Sequence, residues 1–150
     1  TLDVNLTGAW LCTKHAAPHL RESDCAAVVN VSSVGGKRPY PNRAAYAASK
    51  AGLVGLTRTL AFELGVDDVT VNAVCPGPVS GERIQRAIQG QAELADEDVR
   101  VLDVDPGDFA LQSMTVEQTE VAGLVAFLLG PEARSMTAQD VNLDGGLAWY

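Results

Sequence analysis

The chain has 150 residues, a length typical of one domain with a substantial apolar core. Its formal net charge of −8 argues against nonspecific binding to nucleic acid or to anionic membranes, because both depend on an excess of Lys and Arg. No apolar stretch reaches the roughly 18 residues that a spanning helix needs, and the first residues lack a secretion signal. We therefore expect residues 1–150 to form a single, soluble, cytoplasmic domain that binds neither nucleic acid nor membrane.

The cysteines and histidines do not indicate a disulfide or a metal site. Cys12, Cys25 and Cys75 are odd in number and far apart, with no Cys-x-x-Cys pair, so we expect reduced and mostly buried thiols. His15 and His19 are spaced as half of a zinc site would be, but no third ligand accompanies them. We expect a solvated pair at a helix end and no bound metal.

The first predicted element is an amphipathic helix over Thr1–Leu20, where apolar residues recur at helical spacing. The apolar run Cys25–Val31 follows and is typical of a strand covered on both faces of a parallel sheet, which we place at Val28–Val31. It ends at Ser32 and Ser33. Of these two we expect Ser32 to turn away and to bond loop backbone.

The longest predicted helix is Ala44–Leu64, with an apolar stripe of leucines. Its other face consists of small residues, and Gly52 and Gly55 lower its helix propensity. Close approach of another helix would explain that cost. The partner is either a helix of a second subunit or an element of the same chain.

Two elements follow the long helix. The β-branched residues of Thr70–Val74 predict a second strand. Thr115 and Gln118 form a capping-box pattern that predicts a helix from Thr115 to Leu129. Between them, at about residues 80–113, a helical stretch at Ile84–Leu94 and an irregular acidic segment predict a substrate lid.

Tyr46 and Lys50 are four residues apart, so the phenol and the ammonium lie on one face of the long helix. A phenol with a pKa of about 10 is a poor acid or base at neutral pH, but a neighbouring ammonium favours the phenolate. Ser33 follows a strand, where open α/β sheets collect ligands, and its hydroxyl can donate to a substrate oxygen. Taken alone, a Tyr-x-x-x-Lys pair is more often a surface helical pair.

With NVSS before this pair and NAVCPGPV and NLDGG after it, the sequence resembles the short-chain dehydrogenase/reductase family. The resemblance implies a Rossmann-like, doubly wound parallel sheet, of which these residues form the later part, and it adds a third strand at Asp140–Leu143. Family members bind the cofactor pyrophosphate with an earlier Gly-x-x-x-Gly-x-Gly turn. No such turn occurs in these 150 residues.

The resemblance also implies roles for individual residues. Asn5, in VNLTG, would hold a proton-relay water and complete a tetrad with Ser33, Tyr46 and Lys50. Tyr46 would exchange a proton with the substrate oxygen, and Lys50 would hold the cofactor ribose. The other reading of Asn5 is a helical side chain that bonds neighbouring backbone. The cofactor, NAD or NADP, would also lie against a loop formed by Pro76, Gly77 and Val79, with Ser80 as a weaker candidate donor.

The function implied is an NAD(P)-dependent oxidoreductase that interconverts a small-molecule carbonyl and a secondary alcohol by hydride transfer. The family's assembly implies a homodimer or homotetramer through the helices at 2–19 and 44–64. One alternative is a non-catalytic, truncated homologue or fragment that oligomerises without binding a dinucleotide. Another is epimerisation or dehydration by the same Tyr and Lys.

Overall fold

The computed structural model of the chain describes residues 1–40, 42–81 and 115–148. They form an α/β fold around three parallel strands in the order β1-β2-β3. The elements are β1 (Ala27–Val31), β2 (Thr70–Pro76), β3 (Asp140–Leu143), α1 (Gly8–Leu20), α2 (Ala44–Gly65) and α3 (Gln118–Leu129). The α/β class and the three parallel strands are confirmed. The predicted lid, with its helix at Ile84–Leu94, lies outside the described residues from residue 82 onward.

Helices cover both faces of the sheet. On one face, Leu60 and Leu64 of α2 pack in one cluster with Val71 of β2. Val74 points to the opposite face, because strand residues three apart have opposite directions, and it packs with Leu128 of α3. The central strand is therefore buried on both sides, which explains its nearly continuous apolar sequence.

The parallel register brings the carboxyl ends of the strands together at one edge. Ser32 N donates to Val74 O at 2.7 Å as the chain leaves β1, and Gly77 N donates to Leu143 O at 3.0 Å as it leaves β2. The segments that follow β1 and β2 therefore begin side by side, where open α/β sheets bind their ligands.

The first helix is not regular along its whole length, as Thr1–Leu20 was predicted to be. A π-helical turn covers Asp3–Thr7, and α1 begins only at Gly8, whose N–H donates to Asp3 O five residues back. Such turns are frequent at functional sites, and this one carries Asn5.

The predicted start of the last helix is wrong by three residues. Val116 pairs with Val79 in an isolated bridge, and its N–H donates to Pro78 O at 2.9 Å. Because this pairing holds Val116 extended, α3 begins at Gln118, and its capping box is formed by Glu117 and Glu120 instead of Thr115 and Gln118.

The small face of α2 is partly occupied by this same chain. A Cβ on Gly52 would lie 2.8 Å from Leu6 Cδ2, so the π-helical turn approaches the helix closely there. At Gly55 an added Cβ would meet nothing within 4 Å. One of the two glycines is thus explained by packing within the chain.

The prediction of mostly buried thiols is wrong for two of the three cysteines. Cys12 and Cys25 are exposed, because they lie on the outer side of α1 and just before β1, whereas Cys75 in β2 is buried. Among the described residues, no helix combines the length and the apolar character needed to cross a membrane.

Candidate active site

Three segments meet at the carboxyl edge of the sheet: the turn after β1, the first half of α2 and the loop after β2. We call the first the serine turn (Ser33–Lys37) and the last the proline loop (Pro76–Ser80). The four predicted catalytic residues lie on the serine turn, on α2 and on the π-helical turn that packs against α2.

Ser33 caps the short 3₁₀ turn formed by Val34–Gly36. Its Oγ accepts a hydrogen bond from Gly35 N at 3.0 Å. This bond occupies a lone pair of Oγ and not its proton, so the hydroxyl can still donate. The bond therefore orients Ser33 for donation to a further oxygen.

Tyr46 lies against the same turn. A Cβ on Gly35 would be 3.1 Å from Tyr46 Cε1 and 3.4 Å from Ser33 Oγ. The ring edge and the hydroxyl therefore both lie close to Gly35, where a side chain would press on the ring. The structure thus brings together Ser33 and Tyr46, which are thirteen residues apart in the sequence.

Lys50 lies one helical turn beyond Tyr46. Its Nζ is 5.8 Å from the centroid of the Tyr46 ring and donates to Val31 O, the last carbonyl of β1, at 2.8 Å. The sheet therefore fixes the ammonium beside the phenol.

Asn5 reaches the same helix from the π-helical turn. Its Nδ2 donates to Ser49 Oγ at 3.1 Å, and Ser49 Oγ donates to Tyr46 O at 2.7 Å. Ser49 is fully buried and Asn5 is half-buried. The amide of Asn5 thus bonds a side chain 44 residues away, and not the neighbouring backbone that the alternative interpretation required.

The proline loop is shaped by close backbone contacts. A Cβ on Gly77 would lie 3.0 Å from both Cα and Cβ of Asp144, so the loop rests on the turn that follows β3. Val79 is held by its bridge to Val116. Ser80 Oγ donates its proton to Glu117 Oε2 at 2.6 Å, which removes the donor that the sequence suggested at this position.

Two serines have structural roles that differ from, or were missing from, the sequence-based predictions. Ser32 Oγ donates to Lys50 O at 2.8 Å, so the expectation that it bonds loop backbone is wrong. Its hydroxyl is buried against α2 because the sheet edge and that helix are adjacent. Ser49, between Asn5 and Tyr46, could have been found as the buried polar residue directly before Lys50 on an otherwise small, apolar face.

The thiol of Cys75 is also close to this edge. Burial raises the pKa of Cys75, and the positive charge of Lys37 offsets only part of that effect. The thiol is therefore neutral and fills space behind the serine turn. Within residues 1–40, 42–81 and 115–148, no group of three or more His, Cys, Asp or Glu side chains is arranged to hold a metal ion.

Comparison with known proteins identifies the family. A short-chain dehydrogenase/reductase family model, described as enoyl-(acyl carrier protein) reductase, matches residues 1–148. The chain belongs to the short-chain dehydrogenase/reductase family. The structure of a family member from Mycobacterium ulcerans superimposes on it with a TM-score of 0.84 and 29% identity, which confirms the Rossmann-like fold.

Two further relatives are reductases. The 3-oxoacyl-(acyl-carrier-protein) reductase of Synechocystis sp. is 34% identical over 151 residues, and the match covers 99% of this chain and 55% of that protein. The structure of a 3-oxoacyl-(acyl carrier protein) reductase from Brucella melitensis, with bound NAD, has a TM-score of 0.80 and 30% identity. The match covers 99% of this chain and 51% of the Brucella melitensis protein. The chain therefore spans about half the length of these relatives.

The residues present fit one end of a nicotinamide dinucleotide. The Lys50 ammonium can bond ribose hydroxyls, and the proline loop, which Gly77 lets pack closely on Asp144, lies at the same edge. Both lie at the carboxyl edge of the sheet, the usual place for such a ligand. The Gly-rich turn that would hold the pyrophosphate does not occur in the sequence, so the fit covers the nicotinamide-ribose end alone.

Proposed function

We propose that this chain carries the catalytic residues of an NAD(P)-dependent oxidoreductase that interconverts a carbonyl group and a secondary alcohol. The observation that supports this most strongly is that Ser33 Oγ and the Tyr46 ring both lie close to Gly35, with the Lys50 ammonium beside the ring. The 3-oxoacyl reductases among its relatives support the same class of reaction.

In this proposal Tyr46 is the acid and base. In the reducing direction its hydroxyl gives a proton to the carbonyl oxygen, and in the oxidising direction its phenolate takes one from the alcohol. The Lys50 ammonium lies beside this ring, with its Nζ 5.8 Å from the ring centroid. The Ser33 hydroxyl donates to the same substrate oxygen while Gly35 N holds its Oγ. When bound, the dinucleotide supplies or accepts the hydride.

The remaining residues orient these groups. Asn5 acts on the helical turn that carries Tyr46, through Ser49, and is the candidate for holding a relay water near Lys50. Pro76, Gly77 and Val79 would lie against the nicotinamide ring. Lys50 would hold the ribose hydroxyls.

A second candidate is a non-catalytic homologue that does not bind a dinucleotide. It is favoured by the absence of a Gly-rich turn from these 150 residues. Titration of NADH and NADPH fluorescence against the 150-residue chain tests it: saturable binding at micromolar concentrations contradicts this candidate.

The first candidate is tested by comparing two tyrosines. Tyr46→Phe and Tyr40→Phe each remove one hydroxyl, from rings whose centroids are 6.4 Å apart. The assay uses the natural protein, with any residues that precede Thr1, an acetoacetyl thioester and either NADH or NADPH. We expect Tyr46→Phe to lower kcat by roughly 10³-fold, within the usual range for loss of a general acid, and Tyr40→Phe to stay within about 3-fold of wild type. Near-normal turnover by Tyr46→Phe would disprove the assignment.

We also propose that the protein forms a homodimer or homotetramer through α1 and α2. Phe62 of α2 is 86% exposed, Val66 directly after this helix is 85% exposed, and the surface at Gly55 is open. Large apolar side chains that are this exposed on one helix are typical of a protein interface. Light scattering should therefore give twice or four times the monomer mass for wild type, and a monomer for Phe62→Glu. A monomeric wild-type protein would contradict the proposal.

A further inference from the structure

Lys37, which has no part in the proposed chemistry, ends the serine turn with an enclosed ammonium group. Its Nζ donates to Asp140 Oδ2 at 2.7 Å, to Asn142 Oδ1 at 2.7 Å and to Asp140 O at 3.0 Å. An ammonium has three N–H groups, so each of them has an acceptor on β3. The side chain is only 11% exposed, so this strand replaces nearly all of its hydration.

Hydrogen bonds within the serine turn connect Lys37 to Ser33. Lys37 N donates to Val34 O at 2.9 Å, Gly36 N donates to Ser33 O at 3.0 Å, and Gly35 N donates to Ser33 Oγ. The turn is therefore one compact unit with Ser33 at its start and Lys37 at its end. Fixing Lys37 on β3 consequently restricts the position of Ser33.

The other side of the serine turn packs on α2. A Cβ on Gly36 would lie 2.6 Å from the carbonyl carbon of Lys50, and one on Gly35 would lie 3.1 Å from Tyr46 Cε1. The turn thus occupies the space between α2 and β3. Lys37 is its side-chain contact with β3, and the two glycines form its contact with the helix that carries Tyr46 and Lys50.

The same strand leads to the proline loop. Asp144, directly after β3, accepts hydrogen bonds from Gly146 N at 3.0 Å and from Ala148 N at 2.8 Å, and its backbone supports Gly77. Asn142 donates to Ala148 O and so joins the same turn. The residues that bind Lys37 therefore belong to the segment on which the proposed nicotinamide surface rests.

We propose that Lys37 is a positioning residue for the active site, whose ammonium ties the serine turn to β3 and so sets the place of Ser33 relative to Tyr46. The catalytic consequence of this anchoring rests on the proposed function, whereas the anchoring itself does not.

The charge state of Asp140 suits this role. Burial works to raise the pKa of Asp140, but hydrogen bonds from Lys37 and Arg58, together with their charges, hold it below its ordinary value. The carboxylate is therefore ionised at neutral pH and can hold the ammonium.

Arg58 provides a matched control, because it binds the same carboxylate from α2 and is not part of the serine turn. Its Nη2 donates to Asp140 Oδ1 at 2.7 Å from a side chain that is 59% exposed. Arg58→Met and Lys37→Met each remove one cation from Asp140 and keep an apolar stem. Only Lys37→Met releases the turn.

The anchoring is tested by amide hydrogen exchange on the protein chain, without any activity. In Lys37→Met we expect the amides of Gly35, Gly36 and Lys37 to exchange at least about 10-fold faster than in wild type, while the amides of β2 stay within about 2-fold. In Arg58→Met, the amides of the turn and those of β2 should both exchange within about 2-fold of their wild-type rates. Equal acceleration in the turn and in β2, or no acceleration in the turn, would overturn the proposal.

The catalytic consequence is tested by steady-state kinetics on the natural protein. Lys37→Met should lower kcat by roughly 10- to 100-fold, because displacing a substrate-orienting group by about 1 Å costs this much, with KM for the dinucleotide within about 3-fold. Arg58→Met should retain wild-type kcat. Unchanged kcat in Lys37→Met would overturn the positioning role. If wild type itself were inactive, the proposed function would fail, while the exchange result would still decide the anchoring.

Loss of Lys37 leaves the Asp140 charge with one partner, so Lys37→Met alone can fail to fold. The double variant Lys37→Met with Asp140→Asn removes both charges. We expect it to fold and to show the same selective acceleration of exchange in the serine turn. Protection equal to wild type in this variant would overturn the proposal as well.

Discussion

The serine turn and the proline loop leave adjacent strands at the same edge of the sheet, but different groups hold them. The serine turn depends on side chains: Ser33 caps it, and Lys37 ties it to β3. The proline loop depends mainly on backbone contacts, with Gly77 N on Leu143 O and Val79 paired with Val116, and side chains bond its last residue, Ser80. The difference matches the proposed tasks, because a reacting site needs particular functional groups, whereas a surface for a flat ring needs a shape.

The contrast predicts two kinds of sensitivity to mutation. Removing a side chain from the serine turn should lower the catalytic activity, because the Ser33 hydroxyl and the Lys37 ammonium make specific bonds. Adding a side chain to the proline loop should lower the stability of the protein, because Gly77 has no free space around it. The three predictions below test this distinction, in order of decreasing expected effect.

Ser33→Ala should lower kcat/KM by about 10²-fold or more, because it removes a hydrogen-bond donor to the substrate oxygen and the acceptor of Gly35 N. Steady-state kinetics on the natural protein measures this. Ser135→Ala, at an exposed position remote from the sheet edge, is the control and should match wild type. A Ser33→Ala enzyme within about 3-fold of wild type would show that the serine turn has no catalytic group.

Gly77→Ala should destabilise the protein by about 1–3 kcal/mol, the usual cost of overpacking, because its Cβ would lie 3.0 Å from Asp144 Cα and Cβ. Thermal or denaturant unfolding measures the change. Gly123→Ala in α3 is the matched control: its Cβ would meet nothing within 4 Å, so helix propensity predicts stabilisation by about 0.5–1 kcal/mol. Equal stabilities of the two variants would remove the proposed contrast between the loops.

Asp140→Asn should change the free energy of unfolding by less than Gly77→Ala does, and this change should depend on pH. Because the folded-state pKa of Asp140 lies below its ordinary value, its carboxylate stabilises the fold above the unfolded-state pKa, and this contribution is lost as pH falls through the folded-state pKa. The stability difference between wild type and Asp140→Asn should therefore be full near pH 6 and should shrink below about pH 4. Urea unfolding at several pH values measures it, with Asp24→Asn at an exposed position as control. A difference that does not change with pH would contradict the role of the Lys37 and Arg58 pairs.

Much of the fold was accessible from sequence periodicity. The apolar runs predicted the first two strands to within two residues, and the leucine stripe predicted the buried face of α2. These features depend on burial, which leaves a local pattern in the sequence. The start of α3 was not predictable in this way, because Val79, some 37 residues earlier, holds Val116 extended. Local capping preferences of about 1 kcal/mol do not decide between such alternatives.

In the candidate site, too, local patterns were predictable from the sequence, whereas contacts between distant residues were not. The motif around Tyr46 and Lys50 was visible because a helical turn fixes their spacing. Lys37 was not visible, because its partners on β3 lie more than one hundred residues further along the chain. A lysine in a loop is ordinarily solvated, and nothing local in the sequence distinguishes this one.

The sequence by itself determined the family, the parallel α/β class and the identity of the candidate reacting groups, because these follow from residue types at short, fixed spacings. Only the tertiary structure decided how those groups are held. Ser49 joins Asn5 to Tyr46, Ser32 bonds the helix that carries Lys50, and Lys37 joins the serine turn to β3. The physical reason is that a hydrogen bond depends on distance in space, and the folding of the sheet brings together side chains that the sequence separates.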